Sequence, residues 1–141
     1  MKSNTFLTFV GEQCGKAKEA LDLYTSIFPN SEIIKTVPYA EGEAGGTPEL
    51  IKFGIFTLNG IEYMVSESNY NHAWGFSPAV SIYIESASEA ELQSYFEKLS
   101  GNGGMVMVPF DSYETGDYGF GKKYGWCQDA YGINWQFLLS E

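Results

Sequence analysis

The stretch that most constrains the fold is the run from Gly125 to Leu139, which alternates apolar and polar residues on both sides of a turn. Trp126 and Gln128 alternate with Gly125 and Cys127. Asp129 to Gly132 carries turn chemistry, and Asn134, Gln136 and Leu138 then alternate with Ile133, Trp135, Phe137 and Leu139. The pattern predicts a β-hairpin whose second strand buries Trp135 and Phe137. Strand side chains repeat every two residues, so a slip of one residue would exchange the faces. Burying the aromatic pair therefore turns Asn134 and Gln136 the other way, and that amide-bearing face is the first candidate site.

The rest of the chain shows one pattern twice. Thr5 to Val10 reads as a strand closed by Gly11, and Lys16 to Phe28 has helical period, with Ala17, Ala20, Leu21, Tyr24, Ile27 and Phe28 on one stripe. Pro29 and Asn30 stop that helix. Ser31 to Val37 is a β-branched strand, and Glu41 to Thr47 predicts a mobile loop. Leu50 to Leu58 and Ile61 to Ser66 then flank Asn59-Gly60, a strong hairpin signal. After a connector holding His72 and Trp74, Ala79 to Ile84 starts the series again. Ser88 and Glu91 have the spacing of a helix capping box, and Leu92, Tyr95, Phe96 and Leu99 form the apolar stripe. Gly101, Gly103 and Gly104 end the helix. Met105 to Pro109 is a strand, Asp111 to Tyr118 a loop, and Phe120 to Gln128 with Ile133 to Leu139 the closing hairpin. The reading is a single α+β domain over 1–141, with one strand–helix–three-strand module over 1–67, a connector over 68–78 and a second module over 79–141. Two such sheets placed together would close a cleft, where small molecules bind.

Composition narrows the partners. The formal charge of −10 and a calculated pI near 4.4 argue against nucleic acid or an anionic membrane, which such a surface repels. No apolar run has membrane-spanning length, and no stretch at the start has the charge and apolar pattern of a signal peptide, so the expected location is the cytoplasm. Cys14 and Cys127 have the spacing of neither a disulfide framework nor a zinc ribbon. Both are expected to be reduced, Cys127 as a small apolar side chain on its strand.

Phe6-Leu7-Thr8-Phe9, Glu19-Ala20-Leu21, Leu23-Tyr24, Ile27 to Ser31, Gly125-Trp126, Asp129 and Tyr131 to Gln136 together resemble the vicinal oxygen chelate superfamily of glyoxalases, bleomycin resistance proteins and dioxygenases. The match is to its PhnB-like group, whose members are often labelled demethylubiquinone methyltransferase-like. It covers nearly the whole chain; Glu12 to Gly15 reads as an insertion, and the loop from Asp111 to Lys123 is long. The resemblance implies paired βαβββ modules forming a U-shaped, partly closed mixed sheet around a cleft, and a homodimer. Metal-using members place His, Gln or Glu on the first strand of each module and Glu on the last. Carried over, those places hold Thr5, which shares a face with Leu7 and Phe9, then Ala79 or Ser81, and Gln136. Hydroxyls and one neutral amide are poor ligands for a divalent ion, so neither a metal nor any other cofactor is expected. A methyl donor is usually held by a Gly-rich loop that follows a parallel strand and opens a helix, and no such unit is visible.

Among site candidates, His72 could act as acid, base or ligand clamp, and Glu85 as a base. Gln136, Asn134 and Trp126 would hold a polar ligand together with Ser81 and Tyr83; Trp126 and Tyr63 would form wall, and Trp74 a lid or a subunit contact. Tyr70, Trp74, Phe76, Tyr113 and Tyr118 are the aromatics expected at a dimer interface. The function expected is small-metabolite binding without metal or methyl transfer. The alternatives are a metal-dependent or metal-independent lyase, isomerase or dioxygenase-type enzyme of the same superfamily, or a resistance protein that sequesters its ligand.

Overall fold

The computed structural model describes residues 1–113 and 122–140. The chain divides into two compact units, Met1–Gly75 and Phe76–Glu141. The first holds β1 (Thr5–Phe9), α1 (Ala17–Ile27), β2 (Glu32–Pro38), β3 (Ile51–Leu58) and β4 (Ile61–Glu67). The second holds β5 (Ser81–Ser86), α2 (Glu89–Ser100), β6 (Met105–Asp111), β7 (Lys123–Gln128) and β8 (Asn134–Leu139). Hydrogen bonding makes two separate four-stranded sheets, ordered β1-β4-β3-β2 and β5-β8-β7-β6, so the eight strands do not close into one. In each, the first strand runs parallel to the last and the other pairs are antiparallel. These are two βαβββ modules of the glyoxalase-like fold. No helix among the described residues is long and apolar enough to cross a membrane.

In the first unit, Leu7, Phe9, Phe56, Leu58 and Val65 are buried with Ala17, Ala20, Leu21 and Tyr24 of α1. Parallel register places Leu7 beside Val65 and Phe9 beside Glu67, so the face that Thr5 shares with them is the one α1 covers. The face of β1 turned away from the helix carries Phe6 and Thr8. Tyr63 belongs to the helix side as well: it alternates with Val65 and stacks on Phe56 at 5.4 Å. It is half-buried there, and register rather than composition decides that face.

Asn59-Gly60 makes its predicted tight turn, with φ of 51° and 76°, values that Asn and Gly accept more readily than other residues. The hairpin tip is docked: Gly60 N–H donates to Asn30 O at 2.8 Å, and Asn59 N–H to Ser31 Oγ at 3.0 Å. The loop from Glu41 to Thr47, expected to be mobile, is hydrogen-bonded to neighbouring segments. Glu43 accepts from Ala40 N–H and pairs with Lys52, while Gly45 is buried and its carbonyl accepts from Asn69 N–H at 2.9 Å. Glycines that supply no side chain still supply backbone partners.

Helix α2 is capped by Ser88, whose side chain accepts from Glu91 N–H at 3.3 Å. The return half of the box is replaced by a relay: Ser88 N–H donates to Ser86 Oγ, and Ser86 Oγ donates to the Glu91 carboxylate. Strand β5 begins at Ser81 rather than Ala79, because Ala79 and Val80 are held in a turn on Ser77. Strand β7 begins at Lys123; Tyr118 and Phe120 lie outside the described residues.

Candidate functional site

The second sheet has two unlike faces. Against α2 it presents Cys127, Trp135 and Phe137, all fully buried, with Phe96 packed edge-on to Phe137 at 5.9 Å. Gly125 belongs to this side: a Cβ there would lie 2.8 Å from Phe110 Cβ and 3.0 Å from Phe96, so only glycine lets the layers approach this closely.

Strand pairing assembles the other face as a grid. Gln128, Asn134 and Ser81 form one row, Trp126, Gln136 and Tyr83 the next, and Tyr124, Leu138 and Glu85 the third. Ser81, Tyr83, Glu85, Trp126, Asn134 and Gln136, expected from sequence as site residues, therefore share one surface. Tyr124 and Gln128 complete it and were missed as site members; their alternation with Trp126 was the available signal.

Neutral hydrogen bonds run across the rows. Trp126 Nε1 donates to Asn134 Oδ1 at 3.0 Å, and Asn134 Nδ2 donates to Gln128 Oε1 at 3.2 Å and to the Gly132 carbonyl at 3.3 Å. An indole can only donate and a backbone carbonyl can only accept, so the orientation of Asn134 is dictated by its neighbours. Gln136 is different. Tyr124 OH donates to its Oε1 and its Nε2 donates to Ser81 Oγ at 2.9 Å, and both partners are hydroxyls able to donate or accept. Asn134 is buried, while Gln136, Trp126 and Ser81 remain partly open and Tyr83 and Glu85 are exposed. Partial burial, followed by the nearby Glu85 carboxylate, holds the Tyr83 phenol above its ordinary value.

His72 and Trp74 lie in the first unit, away from this grid in the chain. The His72 ring shares a hydrogen bond with Ser68 Oγ at 2.9 Å and sits between Trp74, 4.5 Å away and tilted, and Tyr70, 6.4 Å away and edge-on. Tyr70 and Trp74 are more than half exposed.

Two buried carboxylates escaped the sequence reading of the site. Glu67, at the end of β4, accepts from Gly15 N–H, from Ala17 N–H at 3.3 Å and from Ile51 N–H at 2.9 Å. Lys16 supplies no side-chain cap to α1, so Glu67 does that work from fifty residues along the chain. Asp129 accepts from Tyr131 N–H at 2.9 Å, Ile133 N–H at 3.0 Å and Trp135 Nε1 at 2.9 Å, holding the β7–β8 turn.

Ser81 and Gln136 are adjacent but neutral and bonded to each other, and Thr5 lies on the strand face that α1 covers. This set does not suit a divalent ion. Among the described residues, no group of three or more His, Cys, Asp or Glu is arranged to hold one.

The paired modules and the face they carry define a protein of the glyoxalase/bleomycin resistance/dioxygenase, or vicinal oxygen chelate, superfamily. The chain belongs to the PhnB-like family described as 3-demethylubiquinone-9 3-methyltransferase, whose family model matches residues 1–138. A Bacillus cereus PhnB protein of that description is 39% identical over 98% of each chain, with a TM-score of 0.84. A glyoxylase/bleomycin resistance protein/dioxygenase domain from Frankia sp. EAN1pec is similar in fold, at 16% identity and TM-score 0.63 over 100% of this chain and 98% of its own. So is a Listeria monocytogenes fosfomycin resistance protein, at 11% identity and TM-score 0.62 over 100% and 94%. No curated protein matches the sequence.

Proposed function

We propose that this protein binds a small metabolite, one with a planar part and a hydrogen-bonding group, on the open face of its second sheet, without a catalytic metal and without transferring a methyl group. The observation that carries the reading is the group of Ser81, Gln136 and Trp126 on neighbouring rows: partly open, held in place by neighbours, and offering one aromatic surface beside adaptable polar atoms. The reading is binding rather than catalysis, because the grid is built from neutral groups bonded to one another and its carboxylate, Glu85, stands exposed at the edge.

Two features weigh against the activity in the family's description. The amides at the start of α1, where a helix would hold an anionic group of a donor, already serve Glu67. The turn between β1 and α1 is a short 3-10 segment at Gly11–Gln13, unlike a glycine loop left open for a nucleotide.

The reading extends to one domain formed by the two units, working in the cytoplasm as a homodimer that covers Tyr70 and Trp74 of the connector. A thermal-shift screen of metabolites tests the site. A ligand should raise Tm in the native protein and fail to do so in Gln136→Ala and Trp126→Ala. Ligands whose shifts survive both changes would overturn the assignment, as would a stoichiometric metal lost from Gln136→Ala. Light scattering that finds a 15.7 kDa particle at micromolar concentration would remove the dimer.

A further inference from the structure

In the first unit a nucleophile and a base are already in contact. Ser68 Oγ and His72 Nε2 are 2.9 Å apart, within the reach that activation of a hydroxyl by a general base requires. Ser68 Oγ also accepts from Tyr70 N–H at 3.4 Å, which leaves its own hydrogen to point at the ring. A neutral imidazole that accepts at Nε2 carries its proton on Nδ1, the tautomer that takes a proton from a serine.

Both partners are held. Ser68 follows directly on β4, and the backbone around it is pinned by three other segments: Tyr39 OH donates to the Glu67 carbonyl, Ser68 N–H donates to Phe9 O at 3.1 Å, and Asn69 N–H donates to Gly45 O at 2.9 Å. The His72 ring is oriented by its aromatic neighbours, with Trp74 tilted against it at 4.5 Å and Tyr70 edge-on at 6.4 Å. Groups fixed in advance lose little further entropy when a reactant joins them. Ser68 and His72 are partly buried while Tyr70 and Trp74 are exposed, so an aromatic surface stands beside the hydroxyl.

We propose that Ser68 and His72 form a nucleophile–base pair that takes acyl groups from small aryl esters. Ser68 Oγ attacks the ester carbonyl carbon and its proton passes to His72 Nε2; the bond to the aryl oxygen then breaks and a phenolate leaves. Tyr70 N–H, which points at Oγ, is the donor for the oxyanion of the tetrahedral intermediate. Tyr70 and Trp74 offer faces for the aryl group. Once the ring has passed its proton to solvent, it takes a proton from a water that attacks the acyl carbon and returns that proton to Oγ, releasing the acid. This activity is additional to ligand binding on the second sheet and uses none of the grid's residues.

The test treats the intact protein with p-nitrophenyl acetate. Release of p-nitrophenolate should exceed the rate in buffer, and acid quenching during the reaction should trap an acetyl group on the peptide that carries Ser68. That adduct identifies the nucleophile in the native protein without any variant. Ser68→Ala should lose both the adduct and the added release, and His72→Gln should slow acetylation about a hundredfold or more, each with Tm unchanged. Absence of an adduct on Ser68, an acetyl group on Cys14 or a lysine in its place, undiminished release in Ser68→Ala, or an unchanged acetylation rate in His72→Gln would each overturn the proposal.

Discussion

Glu67 and Asp129 are both buried carboxylates, each accepting from three N–H groups, and each lies at the end of a sheet strand or just beyond it. They differ in reach. Asp129 serves donors within six residues, closing its own hairpin and seating Trp135. Glu67 serves donors fifty-two, fifty and sixteen residues away, joining the start of α1 to the start of β3. The first is a local device that a hairpin can assemble by itself; the second works only after the start of α1, β3 and β4 have met. Each also stands by a cysteine: burial first, then the neighbouring carboxylate, raises the thiol of Cys14 beside Glu67 and that of Cys127 beside Asp129.

The largest expected effect tests the local device. Trp135→Ala should cost about 3–5 kcal/mol by emptying a fully buried site. Because the indole also satisfies Asp129, Trp135→Ala and Asp129→Ala should be less than additive in urea unfolding. Full additivity would show that the carboxylate and the indole act independently.

The distant device has a different signature. Glu67→Gln should cost about 1–3 kcal/mol despite its matched shape, since the new amide NH₂ must face N–H donors. Amide exchange should quicken in the first turn of α1 and at Ile51 together. Protection lost at only one of them would break the claim that Glu67 joins the two.

The thiols sharpen the contrast through pH. Cys127 is pushed up from 9.0 to about 12, so the folded state favours the neutral thiol. Its contribution is intact below the unfolded pKa and is lost as pH rises from 9.0 towards about 12, at no more than about 1.4 kcal/mol per pH unit. Alkaline unfolding should therefore steepen in that window, and Cys127→Ala should flatten the curve. An identical curve for the variant would place the raised thiol elsewhere.

The smallest effect belongs to the open face. Gln136→Ala should cost about 1 kcal/mol, since its partners Tyr124 and Ser81 are hydroxyls that can turn to other acceptors. A loss as large as that of Trp135→Ala would mean that the grid is core and not a binding surface.

The sequence alone determined what depends on near neighbours. Alternation from Gly125 to Leu139 set the helix-facing and amide-bearing sides of β8, Asn59-Gly60 set one hairpin, Ser88 set the start of α2, and the repeated strand–helix–three-strand order set the fold. It also put Asn134, Gln136, Ser81 and Tyr83 on strand faces that pairing then brought together. Tertiary structure decided whatever needed a distant partner. Parallel pairing of β1 with β4 assigned Leu7 and Phe9, and hence the face of Thr5, to the helix side. The cap of α1 came from Glu67, and the anchor of the Glu41 to Thr47 loop from Lys52 and Asn69. The reason is the range of the forces: propensity and periodicity act over a few residues, whereas a buried carboxylate is stable only where folding brings donors from remote segments to it.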